Sequence, residues 1–348
     1  MSGRTIVVVA LVVVVLIAGG FYFKDPVVCI ANPGDAKDVS AACAVTADRI
    51  LVPGRYRADA LMRASSALDL EDAGPVVERA LALDPKNAAA NQAYAELLTE
   101  QAFGDLNKGD AAQAVKKLSD VLARQPNRKG ARLMRSIAYS DQGQFDSAIA
   151  DQTELLRDNP NNPAIIYNRA ITYARAGRFQ EAIADYSELI FANAQNTEAL
   201  AGRANAKRRM KDFNGALQDI DQLVRLSPKE PYPYVQQAAV LLDQGKSEDV
   251  VGLVDSAEPA LGTIPEMEKA KAVSLYRMKF SKDALKTLDR ANAAEPGDAW
   301  ITRIRDAIQA DKSADVDAGA AELDQSAVLD DERAAQARDE LLQQMQHR

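Results

Sequence analysis

Apolar positions along this chain fall into three regimes. Thr5–Phe23 is an unbroken run without a charge, mostly Val, Leu, Ile and Ala, flanked by Arg4 and Lys24. From about residue 51 to 311 apolar residues recur at helical spacing in short stretches separated by Gly and Pro. One such stretch is Ile166, Ala170, Tyr173 and Ala174, and the next is Phe179, Ala182, Ile183, Tyr186, Leu189 and Ile190. Beyond residue 312 the apolar pattern fades into Ala, Gln and Asp. The middle regime predicts paired helices, and nothing in it alternates as a strand would.

The helical stretches repeat. Steps of 34 from Pro126 reach Pro160, Ala194, Pro228, Gly262 and Pro296 without a gap. The same step gives a small column (Ser136, Ala170, Ala204, Ala238, Ala272) and a second one of Ala148, Ala182, Ala216, Val250 and Ala284. An aliphatic column runs Ile149, Ile183, Leu217, Val251, Leu285, and a turn column runs Gly143, Gly177, Lys211, Gly245, Lys279. Small residues let two helices approach closely. Gly177 sits where a helix must end in the left-handed region, and Pro163 and Pro231 suit a first helical turn. One such pair cannot bury its apolar face alone, so stacking is obligatory. The last two units are the least regular, with Ser247 and Ser281 where Phe145, Phe179 and Phe213 stand earlier.

Helix–turn–helix units of this length, with small, Tyr, Gly, Ala and Pro landmarks, resemble tetratricopeptide repeats, and Asn168–Ile190 is similar to them throughout. The resemblance implies an all-α, right-handed α-solenoid of about seven hairpins over residues 51–311. Two looser units precede the regular array, the second with its first helix lengthened near Leu98–Asn107. Trp300–Ala310 would be a final solvating helix. Residues 25–50 read as a half-repeat cap, and 312–348 as an acidic tail, disordered or loosely helical.

The run Thr5–Phe23 would span about 28 Å as a helix, close to the thickness of a bilayer's hydrocarbon core, so residues 1–24 are expected to form a membrane anchor. The alternative is a cleaved signal peptide with Ala18 and Gly20 near the processing site. Arg4 on the near side places the N-terminus in the cytoplasm and exports the rest across the inner membrane to the periplasm. Cys29 and Cys43 are the only cysteines. In an oxidising compartment they are expected to form a disulfide closing a loop worth roughly 3 kcal/mol, the alternative being two separate buried thiols.

Composition removes most chemistry. The single histidine, His347, excludes Ser-His-Asp triads, Cys-His nucleophiles and HExxH zinc sites, and two cysteines exclude four-thiolate metal sites. No phosphate-binding glycine motif occurs. The reading is therefore not an enzyme, with no cofactor and no metal. A hydrolase using Asp219 with Asp221, or Asp330 with Asp331, is a weaker alternative, because the first two lie two apart on a helix and point to different sides, and the second two lie in the floppy tail. Net charge is −8, of which the segment from Ser313 to Arg348 carries −6, so nucleic acid is not an expected partner.

The resemblance also implies that the first helix of each pair lines a concave groove that takes partner proteins or peptides. Its candidate residues are Tyr167, Asn168, Arg175, Asn205, Arg208, Arg209, Tyr232, Gln236, Tyr276 and Arg277. Arginine forks, flat Tyr rings and amides suit a carboxylate or a peptide backbone. The basic and Asn set by which chaperone-adaptor members hold a C-terminal carboxylate is absent, since Gln236, Glu266 and Ala270 stand at its positions. The functional expectation is a membrane-anchored scaffold for envelope assembly, secretion or maturation complexes. The alternative is a soluble periplasmic binding module. A sharper possibility is that the acidic tail folds back onto the arginine-lined groove.

Overall fold

The computed structural model describes residues 54–65 and 70–323, together with the helical positions 335, 336 and 339. The expected anchor, the two cysteines and the half-repeat cap lie outside the described residues, as does most of the acidic tail. Among the described residues there are sixteen helices and no strand, and no helix is long and apolar enough to cross a membrane. The chain divides into two compact units, residues 1–131 and 132–348.

The first unit holds two hairpins, α1 (Gly54–Ser65) with α2 (Leu70–Leu83), and α3 (Ala88–Asn107) with α4 (Ala111–Arg124). Ala58, Leu61, Val77, Ala80 and Ala90 form a core of mainly small side chains. The Asn87 side chain caps α3 by accepting from Ala90 N and donates to Asp59 Oδ1 at 2.7 Å, tying α3 to α1. α3 runs unbroken for 20 residues, as the insertion near Leu98–Asn107 predicts.

The second unit contains most of α5 (Lys129–Asp141), then α6 (Phe145–Asp158), α7 (Pro163–Arg175), α8 (Phe179–Ala192), α9 (Thr197–Arg209) and α10 (Phe213–Leu226). It continues with α11 (Pro231–Asp243), α12 (Ser247–Leu261), α13 (Pro265–Arg277), α14 (Ser281–Ala294), α15 (Ala299–Gln309) and α16 (Ser313–Glu322). Odd-numbered helices open each hairpin and even-numbered ones close it, giving an all-α helical repeat solenoid. Both small columns are buried throughout, at 1% exposure or less, so each is a point of close helix approach. Pro163, Pro231 and Pro265 begin their helices, and the Asn162 and Asn196 side chains cap α7 and α9. Gly177 has φ 73°, and the same left-handed turn is kept by Lys211 and Lys279, at φ 62° and 71°. The backbone geometry of the repeat thus outlasts its glycine.

At the C-terminal end, the start of the segment expected to be disordered or loosely helical is a packed helix. Residues 313–322 form α16, which pairs with α15 and also reaches α13. The cause is specific packing. Val316 is fully buried, Trp300 Nε1 donates to Gly319 O at 2.9 Å, and Gly319 lies so close to Ile304 that a Cβ would overlap it. The presumed solitary last helix therefore has a partner, and the described residues contain an eighth hairpin.

Candidate functional site

Every candidate groove residue lies on an odd-numbered helix of the second unit: α7, α9, α11 and α13. Of these, Gln236 and Tyr232 bond to each other, and most of the rest reach residues of a neighbouring repeat. They stitch each odd helix to the next through contacts 35 residues apart. Arg175 Nη1 donates to Ser140 Oγ at 2.8 Å, Arg208 Nε to Asp243 Oδ2 at 2.7 Å, and Tyr276 OH to Asp311 Oδ1 at 2.9 Å. Arg277 Nη1 reaches Leu242 O at 3.5 Å, and Gln236 Nε2 reaches Ala201 O at 3.3 Å while also donating to Tyr232 OH at 2.6 Å. A step of 34 plus one is what joins equivalent ends of neighbouring stacked helices.

Burial follows from this seam. Asn205, Arg208, Gln236 and Tyr276 are buried, Tyr167, Asn168, Arg175, Tyr232 and Arg277 are half-buried, and Arg209 is exposed. Asn168 Nδ2 donates within its own helix to Ala164 O at 2.8 Å, and Tyr167 packs edge-on to Tyr186. The guanidinium of Arg175 lies over the Phe145 ring at 5.4 Å, and that of Arg209 over Phe179 at 5.4 Å. Arg175, Arg209 and Arg277 thus form a basic row on one column of the 34-residue step, interrupted by Asp243 between the last two, with its forks held in place rather than waving in water. Burial and hydrogen bonding raise Tyr276: desolvation leads, followed by its hydrogen bond to Asp311.

A second ladder ties together the two helices of successive hairpins. Arg135, Arg169 and Arg203 each grip an aspartate 16 residues on, Asp151, Asp185 and Asp219, through two nitrogens at 2.7–3.0 Å. Each joins the two helices of its own hairpin. Arg169 and Arg203 also touch hydroxyls of the preceding even helix, Thr153 and Ser187. Side-chain hydrogen bonds donated to the aspartates raise the pKa of Arg135 and Arg169 further above their already high values, against the opposing pull of burial. In the later repeats the cation turns backward instead, Lys271 to Asp255 and Arg305 to Asp289. The signal was present as an Arg column and an Asp column sharing the 34-residue step. Asp219, once a candidate acid, is consumed by this clasp and by Lys207 at 2.8 Å, while Asp221 is exposed.

Among the buried polar residues one carboxylate stands out. Glu268 of α13, on the column that reads Ile166, Leu200 and Tyr234 in the three preceding repeats, is 1% exposed. Arg290 lies 3.1 Å from its Oε1, while Oε2 has no hydrogen-bond partner. Burial pushes this carboxyl above its usual range, only partly opposed by Arg290 and Lys271. Next to it, Lys269 is buried against Glu295 and Asp298. Burial alone would lower the Lys269 amine, but the two carboxylate hydrogen bonds raise it.

Comparison with known proteins agrees with this architecture. The tetratricopeptide-repeat family model matches residues 104–163, 133–197 and 167–231, so that stretch is similar to tetratricopeptide repeats. A tetratricopeptide repeat protein from Parabacteroides merdae superposes with a TM-score of 0.53 at 20% identity, covering 72% of this chain and 98% of its own. MamA from Desulfovibrio magneticus gives 0.44 at 14% identity over 48% of this chain and 94% of its own. Pseudomonas aeruginosa pilF gives 0.45 at 15% identity over 64% and 99%. No curated protein matches the chain. The likeness shows the fold, a stack of helical hairpins.

Proposed function

We propose that this chain is a membrane-anchored scaffold that binds partner proteins or peptides on the face lined by its odd-numbered helices. Its place is the inner membrane, crossed once by residues 5–23, with the repeats on the periplasmic side. Its task is the assembly, secretion or maturation of envelope proteins. The observation that carries the reading is the basic row Arg175, Arg209 and Arg277, 34 residues apart in its first two members and twice that to the third, with each fork oriented by a ring or a neighbouring repeat. Oriented forks lose less entropy on gripping a carboxylate than free ones do. The anchor is supported by the uncharged run Thr5–Phe23 and would confine the search for partners to the membrane surface.

The test is crosslinking and affinity capture from membranes with Arg175→Glu/Arg209→Glu. Arg208 is unsuitable for reversal, because a glutamate there would face Asp243 across the seam. Loss of the captured partners with helicity retained is the expected result. Capture unchanged by the double variant removes the basic row from the binding surface. Mass spectrometry of the intact N-terminus tests the anchor: a mature chain beginning after Gly20 would make the protein a soluble periplasmic module.

A further inference from the structure

α13 is buried on nearly every side, including Val273 and Tyr276 on the stretch that leads to Arg277. Helices α12 and α14 cover part of it, α11 another part, and α16 the rest. α16 brings Val316 into the cluster that contains Val273, Tyr276, Trp300 and Ile304, and Asp317 Oδ1 accepts from Arg277 Nε at 3.0 Å. The third arginine of the basic row is therefore already holding a carboxylate, and that carboxylate belongs to this chain.

The hold is weak by construction. α16 has only ten residues, below the length at which a helix is stable alone, and its buried residues are Val316 and Gly319. Its first turn has no side-chain cap, and no basic residue offsets its C-terminal end. Both of its ion pairs, Asp317 with Arg277 and Glu322 with Arg303, have half-exposed carboxylates and are screened accordingly. A cleft of about 850 Å³ lined by Thr302, Asp306, Lys312 and Asp315 opens between α15 and α16.

We infer that α16 is a detachable occupant of the α13 face, a short acidic helix bound in cis that a partner's acidic helix must displace. The inference rests on the basic row being the partner site. Tethering gives α16 a high effective concentration, which is what lets a weak contact gate a stronger one.

The probe is a fluorescent peptide of residues 311–326, titrated into the full chain and into two opened variants. Gly319→Leu drives a side chain into Ile304, and Asp317→Lys/Glu322→Lys removes both ion pairs without touching the core. Both variants are expected to bind the peptide at least tenfold more tightly than the native chain, and adding Arg277→Glu should abolish the gain. Amide exchange in native α16 should be faster than in α13 and α14. Equal peptide affinity in the native chain and the ion-pair variant, or α16 amides protected as well as those of α13, overturns the inference. Peptide binding that succeeds while membrane capture ignores the basic row would leave the cis contact standing and remove the partner reading alone.

Discussion

Asp219→Ala measures what the clasp ladder contributes. Asp219 is 3% exposed and accepts from Arg203 at 2.7 and 3.0 Å and from Lys207 at 2.8 Å. Its removal leaves two cations facing an apolar hole between α9 and α10. Breaking a buried pair by deleting one partner costs about 3–5 kcal/mol, since the remaining charge keeps its desolvation penalty. Arg203 and Lys207 retain 18% and 16% side-chain exposure and can turn toward water, which places the loss near the lower end, at about 3 kcal/mol. The internal control is Asp255→Ala. It deletes the same kind of contact with Lys271, but Asp255 is 55% exposed, and an exposed pair is worth about 0.2–1 kcal/mol. Urea unfolding followed by circular dichroism gives both losses. Amide exchange in α9 and α10 then locates the first, because stacked repeats can open locally. If the two substitutions cost the same within about 0.5 kcal/mol, the ladder is not a buried electrostatic element and the reasoning fails.

Three further outcomes are expected. Lys279→Gly should stabilise the chain by about 0.5–1 kcal/mol in urea melts, because φ 71° strains any side-chain-bearing residue. Gly202→Ala should destabilise despite better helix propensity: its Cβ would fall on the buried Tyr186 ring, a clash of about 1–3 kcal/mol against a gain of about 1. Glu268 has a raised carboxyl, so its contribution to stability is full below the usual value of 4.5 and is lost as pH climbs through the raised folded value. Glu268→Gln should therefore gain on the native chain between pH 4 and pH 7 in paired urea melts, and a constant difference would contradict the assignment.

Much of the fold was readable because the repeat imposes one environment at each column. Ala170 and its equivalents had to be small, Gly177 had to turn, and the structure gives each that role. What a column cannot convey is which neighbour a long polar side chain reaches. Arg208 and Tyr276 have the composition of groove ligands, yet their partners, Asp243 and Asp311, sit one repeat and one residue further on. Periodicity within a repeat does not reveal that offset. The Arg–Asp ladder was legible in principle, since both columns keep the 34-residue step, but only to a search pairing two columns rather than reading each alone. α16 escaped because its packing depends on a single valine and on a glycine that admits Ile304, too few apolar residues to register as an amphipathic stripe.

The proposed function requires partners to meet the odd-numbered helices. A photo-crosslinking amino acid placed singly at Arg209, exposed on α9, and at Asp221, exposed on α10, tests it in intact membranes. Partner adducts are expected from position 209 and none from position 221. Adducts from 221 without adducts from 209 would place recognition on the opposite helices and contradict it.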